Sequence, residues 1–349
     1  LVGCVLVRGG EVLAIGHHRR FGGLHAERDA LFACKVRGID PAGATAFVTL
    51  EPCNGHGKQP PCVDALLEAK IARVVYARPD PTPAKGGGAT RLRSNGIECV
   101  ECRDSRLANS LLDPFMKRLE TGLPWVIAKW AQTIDGRVAT RSGESKWISG
   151  DRSRLRVHRL RGRVDAILTG IGTVLADDPL LTARLTHAPR RNAIRVVADT
   201  DLDIPLTANL VRTARESPTI VACAAELLSA AITADKRAAL ELQGVRLLGV
   251  PTNTNGRGID LIALLGALRA DCGVSTLMLE SGPSLLGAML EHDLIDEAVV
   301  YVAPLLLGDE FARAAATGRV ADSLSAGKRL RLSRVKPLDG DVELTYRTR

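Results

Sequence analysis

The chain alternates between two hydrophobic rhythms, short continuous apolar runs and faces repeating at helical period, and the alternation continues from end to end. Residues 2–7 and 11–15 are apolar runs flanking Gly9-Gly10, which predicts a β-hairpin. Ala30, Leu31, Ala33 and Cys34 then give a helical apolar face, and residues 44–50 read as a buried strand. Pro60 and Pro61 open a predicted helix over 62–70, followed by a strand at 73–77. A loop rich in Pro and Gly leads to a short helix and a strand at 97–102. An amphipathic helix over 107–119 ends at Glu120-Thr121-Gly122-Leu123-Pro124, and this break is the expected boundary between domains 1–122 and 123–349.

The pattern restarts at Trp125. Strands are predicted at 125–131, 166–169, 194–198, 219–223, 245–250 and 276–280, with helices at 151–161, 226–242, 260–269 and 284–292. Residues 298–302, 330–335 and 342–346 close the chain as strands. Strands alternating with helices make both halves α/β. The segment 142–148 is polar and contains Gly, as ligand loops do, and residues 170–177 read as a second loop. Gly170-Ile171-Gly172-Thr173 lacks the third Gly of a dinucleotide fingerprint. Ser281-Gly282-Pro283-Ser284, between a strand and a helix, is the better phosphate cradle: its Gly permits close backbone approach and its Pro suits a first helical turn.

Composition narrows the picture. A length of 349 residues suits two domains, and 46% apolar with 25% charged residues is ordinary globular usage. No stretch of 18 or more apolar residues predicts a membrane span, and no secretory leader is evident. Eight cysteines over two domains fit a reducing, cytoplasmic setting better than a disulfide scaffold. The net charge of +8 reads either as an ordinary solvated surface or as a site for an anionic ligand, phosphate ester or nucleic acid, and only 3% aromatic residues leave few platforms for stacking single-stranded bases. Small phosphorylated substrates are therefore expected rather than nucleic acid.

The sharpest chemistry lies between His25 and Cys62. His25-Ala26-Glu27 is followed by Glu51-Pro52-Cys53 and, nine residues on, by Pro61-Cys62. One imidazole and two thiolates make a three-ligand zinc site with an open fourth position, the catalytic form of that metal. His25 and Glu27 converge only if they start a helix, as Gly22-Gly23 predicts, and Cys62 falls in the first turn of the next one. Two helix N-termini then favour thiolate at one point. Glu27 is the proton carrier and not a ligand. Cys99-x-x-Cys102 lies in a strand pattern without a partner pair and reads as structural.

Together with Val2-Gly3-Cys4-Val5, Asp135-Gly136-Arg137, Ser145-Lys146-Trp147-Ile148, Thr173 to Pro179 and Tyr301-Val302-Ala303-Pro304, these motifs resemble the bifunctional riboflavin-biosynthesis enzymes, a pyrimidine deaminase fused to a reductase. The likeness covers nearly the whole chain. It implies a cytidine-deaminase-like α/β/α zinc domain and a dihydrofolate-reductase-like α/β domain using NADPH. On the deaminase side it implies one zinc per chain, held by His25, Cys53 and Cys62, with His18 and Lys58 touching substrate. On the reductase side it implies that Ala131, Trp147, Thr173, Asp177 and Thr200 contact NADPH, with Gly282, Pro283, Ser284, Leu285, Leu286, Gly287 and Ala288 under its pyrophosphate. Lys129, Ser145, Ser149, Leu181, Arg184 and Glu280 would line the substrate. Proton transfer in reduction falls to Lys129, Asp177 or Glu280, among which the sequence does not choose. The family also suggests a homodimer through the reductase domain.

Two departures stand out. The family carries an N-terminal helix and an Asn-Pro segment before Val-Gly, and the sequence as given starts at Leu1, so weak deamination with intact reduction is expected of it. Gly55 stands where the family usually has His, with His56 beside it. The competing readings are a tRNA or other nucleic-acid deaminase with an appended binding domain, and a non-catalytic zinc-binding partner protein. The eight-residue gap between Cys53 and Cys62 and the few aromatic residues oppose the first; the intact zinc motif opposes the second.

Overall fold

The computed structural model describes residues 2–19, 22–103, 105–184, 192–254, 256, 258–319 and 321–348. The chain divides into two compact units, residues 1–116 and 117–349.

Unit 1 contains β1 (Gly3–Arg8), β2 (Glu11–His17), α1 (Ala26–Val36), β3 (Thr45–Leu50), α2 (Cys62–Glu68), β4 (Arg73–Arg78), α3 (Gly88–Ser94) and β5 (Glu98–Glu101), and α4 (Arg106–Thr121) runs across the division. The strands form one sheet in the order β2-β1-β3-β4-β5. Gly9 (φ 58°) and Gly10 (φ 84°) supply the left-handed backbone that a two-residue hairpin between β1 and β2 requires. β3, β4 and β5 are parallel, so α2 and α3 serve as crossovers. The core joins Cys4, Leu6, Val48, Val74 and Tyr76 of the sheet to Ala30 and Cys34 of α1, Leu66 of α2 and Leu92 of α3. The two faces of β1 differ in burial although both are apolar. Cys4 and Leu6 are buried, but Val5 and Val7 are only partly so, and Val5 pairs across the sheet with the exposed Ile15 and Phe47.

Unit 2 contains β6 (Trp125–Gln132), β7 (Arg137–Ala139), α5 (Asp151–Arg161), β8 (Ala166–Gly170), α6 (Ile171–Asp177), β9 (Ile194–Ala198), α7 (Asn209–Arg212), β10 (Thr219–Ala224), α8 (Ala234–Leu242) and β11 (Arg246–Val250). It continues with α9 (Leu261–Cys272), β12 (Thr276–Leu279), α10 (Pro283–Glu291), β13 (Glu297–Val302), β14 (Arg313–Ala314), β15 (Arg331–Leu338) and β16 (Asp341–Arg347). Nine strands form one sheet, β11-β10-β9-β8-β12-β6-β13-β16-β15, antiparallel only at β16 and β15. The early strand β6 is flanked by β12 and β13, both from far along the chain. Each face carries its own apolar layer, one centred on Ile167, Val197 and Val221 and the other on Leu168, Val196 and Leu277.

Two predictions of local structure are corrected. Residues 226–242 do not make one helix: two 3-10 turns, Ala225–Leu228 and Ala231–Thr233, precede α8. The hydroxyls of Ser229 and Thr233 donate to the carbonyls of Glu226, Leu227 and Ala230, offering the backbone an alternative to helix. Residues 170–177, read as a loop from their glycines, contain the helix α6. Arg195 on β9 is fully buried and donates to the carbonyls of Leu180, Leu210, Thr213 and Ser217 and the hydroxyls of Thr213 and Thr219. Burial pulls its pKa down to about 10 against the opposing charge of Glu216, which leaves it cationic at neutral pH.

Candidate functional sites

In unit 1 three elements deliver the predicted ligands to one point. His25 is the N-cap residue of α1, with extended backbone (φ −69°, ψ 161°), and Glu27 is the second residue of the helix. Cys53 follows the end of β3, and Cys62 opens α2 directly after Pro61. The Nδ1 of His25 lies 3.4 Å from each thiol sulfur. Tetrahedral zinc with ordinary Zn–N and Zn–S bonds separates nitrogen from sulfur by about 3.6 Å. The donor atoms lie within 4.8 Å of one another, and this is the only cluster of that kind among the described residues. Cys99 is buried in β5 and Cys102 is exposed, both outside it.

The charges point the same way. Hydrogen bonding from the Cys62 thiol, assisted by His25 and the Cys62 N–H, pulls Cys53 down to about 4 against the cost of burial. Cys62, donating to Cys53 and buried, is pushed far above the thiol range. Without a cation only one of the two sulfurs ionises, and zinc, which binds thiolates, fits the donor set. Burial pushes the carboxyl of Glu27 up to about 7. His18 stands edge-on to His25, with ring centroids 5.5 Å apart, and its Nδ1 is paired with the Leu24 carbonyl. Lys58 passes close to Gly22, and Gln59 donates to the Gly22 carbonyl, so the 55–61 loop edges the site. Gly55 has a steric reason: a Cβ there would stand 1.9 Å from the Ala84 carbonyl oxygen.

Unit 2 holds a cavity of about 870 Å³ at the ends of β6, β8, β9 and β12, roomy enough for a dinucleotide and a small substrate. Lys129, Ser145, Leu181 and Glu280 line it, as do Ala131, Thr173, Asp177 and Thr200. The N-terminal turn of α10 faces in through Gly282, Pro283, Ser284 and Leu285, with Ala288 one turn on. The Gly282 N–H donates to the Thr173 hydroxyl at 3.0 Å, drawing the starts of α6 and α10 together. Backbone N–H groups at a helix start suit a pyrophosphate, so NADPH fits the residues present. At the substrate end, Glu280 Oε1 accepts from Lys129 Nζ at 2.7 Å and Arg161 Nη2 at 2.8 Å, while its Oε2 accepts from Arg161 Nε at 3.0 Å. Burial opposes ionisation, but these two cations hold Glu280 well below the usual carboxylate range.

Five expected residues lie outside the cavity lining. Trp147 has left-handed backbone (φ 70°) and is 75% exposed, with the Arg154 guanidinium over its ring. The Ser149 carbonyl is engaged by the same Arg154. Arg184 is exposed, its N–H donating to His158 Nδ1. Leu286 faces the core from the inner side of α10, and Gly287 packs on the chain, where a Cβ would meet the Thr317 carbonyl at 1.8 Å. A helix turns only part of its surface to a ligand, so seven consecutive residues cannot all line one cavity. Sequence reasoning missed Arg161. Its signal was the basic run in α5, which ends with Arg161 pairing Glu280.

Comparison with known proteins assigns a family to each part of the chain. The family model for the cytidine and deoxycytidylate deaminase zinc-binding region matches residues 1–78, and that for the RibD C-terminal domain matches residues 124–344. The riboflavin biosynthesis protein RibD of Actinobacillus pleuropneumoniae is 38% identical, over 99% of this chain and 89% of its own. The Acinetobacter baumannii RibD structure (form 1) superposes with a TM-score of 0.79 at 35% identity, covering 99% of this chain and 91% of that one. A Thermotoga maritima structure, named as a diaminohydroxyphosphoribosylaminopyrimidine deaminase and 5-amino-6-(5-phosphoribosylamino)uracil reductase, gives 0.81 at 30% identity with the same coverages. A zinc-type donor cluster and a dinucleotide-sized cavity in one chain, with likeness along its full length, lead to one conclusion: the chain belongs to the RibD family of riboflavin-biosynthesis proteins.

Proposed function

We infer that this chain carries out two successive steps of riboflavin biosynthesis. Unit 1 hydrolytically deaminates 2,5-diamino-6-(5-phosphoribosylamino)pyrimidin-4-one, and unit 2 reduces the ribosyl group of the product to ribityl. The observation that carries the reading is the convergence of His25, Cys53 and Cys62 beside a buried Glu27. Zinc bound there supplies the Lewis acidity that brings water towards ionisation at neutral pH. Glu27, pushed up to about 7, both takes and returns a proton near neutrality and is assigned the relay to the departing amine. His18 and Lys58 hold the substrate.

In unit 2, NADPH supplies the hydride, and the protein aligns it with the sugar carbon. Glu280 stays ionised between Lys129 and Arg161 and so is not the proton donor. The Lys129 ammonium, held at 2.7 Å by that carboxylate, is assigned the proton for the sugar oxygen, and Asp177 the alignment of cofactor and sugar. A cavity of about 870 Å³ suits a small phosphorylated pyrimidine better than a polynucleotide. Among the described residues no helix is long and apolar enough to cross a membrane. A homodimer through unit 2 draws support from β15, an edge strand with Leu332 and Val335 exposed. The test is whether the purified chain oxidises NADPH with the deaminated pyrimidine while leaving oligonucleotides unchanged. Oligonucleotide deamination without NADPH turnover would overturn the reading.

A further inference from the structure

Glu51 stands two residues before the ligand Cys53, and no step above uses it. It is 7% exposed, and both its oxygens are engaged by backbone. The Asp80 N–H donates to Oε2 at 2.9 Å and the Ala89 N–H to Oε1 at 2.8 Å. They bracket the stretch rich in Pro and Gly between β4 and α3, Asp80 lying near its start and Ala89 in the first turn of α3. Between those two residues the loop lies directly against the turn that carries Cys53. The Asn54 N–H donates to the Lys85 carbonyl at 2.9 Å. A Cβ on Gly88 would stand 1.8 Å from the Pro52 carbonyl oxygen, so backbone touches backbone on that side too. Arg91, in the middle of α3, donates to the Asn54 side chain at 3.0 Å and pairs with Asp64 of α2, the helix opened by Cys62.

We propose that Glu51 is a positioning residue for the metal site: its carboxylate pins both ends of the 80–89 loop, and the loop fixes the turn that aims the Cys53 thiolate. A neutral acceptor does not replace it. Two N–H donors converge on two separate oxygens, and charge-assisted bonds of this kind are about twice as strong as neutral ones. Groups that orient a metal ligand without touching the metal commonly govern affinity by 10–100-fold. The proposal rests on reading His25, Cys53 and Cys62 as a zinc site.

The experiment uses the full chain, stripped of metal and titrated with zinc against a chromophoric chelator, with cobalt binding followed by its thiolate charge-transfer band. Wild type tests the underlying reading separately: one zinc per chain and a thiolate band support it, and the absence of both overturns it whatever the variants do. Glu51→Gln keeps size and one acceptor oxygen but turns an NH2 towards the second N–H. Its zinc affinity should fall by about 10–100-fold, with a weakened or shifted cobalt band, deamination recovered at saturating zinc, and NADPH-dependent reduction unchanged. Glu51→Ala should weaken zinc at least as much. Zinc affinity within twofold of wild type in both variants would overturn the proposal. So would a Gln variant that lacks native far-ultraviolet dichroism even when loaded with zinc, because Glu51 would then hold the fold and not the ligand.

Discussion

The two sites are built on different principles. The metal centre draws on residues 25–62, close in sequence, and depends on side chains of fixed chemical type. The cavity of unit 2 draws on residues from 129 to 315 and is shaped largely by backbone at strand ends and helix starts. A metal site is therefore sensitive to the identity of a few atoms, whereas a cofactor cradle is sensitive to space and to the balance of buried charge. Substitutions that probe one principle should leave the other site intact.

The largest effect is expected where the cavity departs from its own rule and relies on a buried charge. Glu280→Gln leaves Lys129 and Arg161 facing each other without a counter-charge, and should cost unit 2 about 3 kcal/mol, measured by denaturant unfolding. The native value of Glu280 lies below its unfolded value, so its stabilisation is complete above about pH 4.3 and is lost as pH falls further. The acid limb of the stability curve of unit 2 should flatten in the variant; an unchanged limb would show that the triad contributes nothing.

Glu27→Gln comes next. It preserves volume but removes the proton carrier, so deamination should fall by about 10²-fold or more while reduction is nearly unchanged. Equal losses in both assays would break the separation between the sites. Gly287→Ala tests the cradle by space alone: with its Cβ directed at the Thr317 carbonyl, unit 2 should lose about 1–3 kcal/mol, read as a lower melting temperature, with zinc content unaffected. Asp177→Asn should slow reduction by roughly tenfold and leave stability within about 1 kcal/mol; full activity would remove Asp177 from the site. The smallest effect is expected for the Cys99→Ser, Cys102→Ser pair, which should keep its full zinc content by metal analysis.

These differences also explain what the sequence made legible. His25, Cys53 and Cys62 are readable because only certain donors bind zinc and their spacing is set by a strand and two helix starts, and Glu27 because it follows His25 at one of those starts. Most of the alternating strands and helices followed from apolar periodicity. Glu51 was visible only as part of a motif, since its partners are two backbone N–H groups whose positions no residue type announces. Arg161 was one arginine in a basic helix until the fold turned it towards Glu280. The 226–242 segment has helical composition, and its hydroxyls decide otherwise through carbonyls that become their partners only in the folded turn. Trp147 was placed by its motif, and its left-handed backbone and high exposure are features that periodicity does not encode.

The place of β6 in the large sheet has a consequence for synthesis. This strand is the first of unit 2 to be made, yet its neighbours β12 and β13 begin only at Thr276 and Glu297. At roughly 5–20 residues per second on the ribosome, its apolar segment waits on the order of ten seconds or more for an edge to pair with. In that interval Trp125, Val126 and Ile127, all destined for the interior, are a ready substrate for a chaperone or for another nascent chain. Yield in the cell is thus expected to depend on translation speed across the following 140 or so residues, a sensitivity that unit 1, with its neighbouring strands close in sequence, does not share.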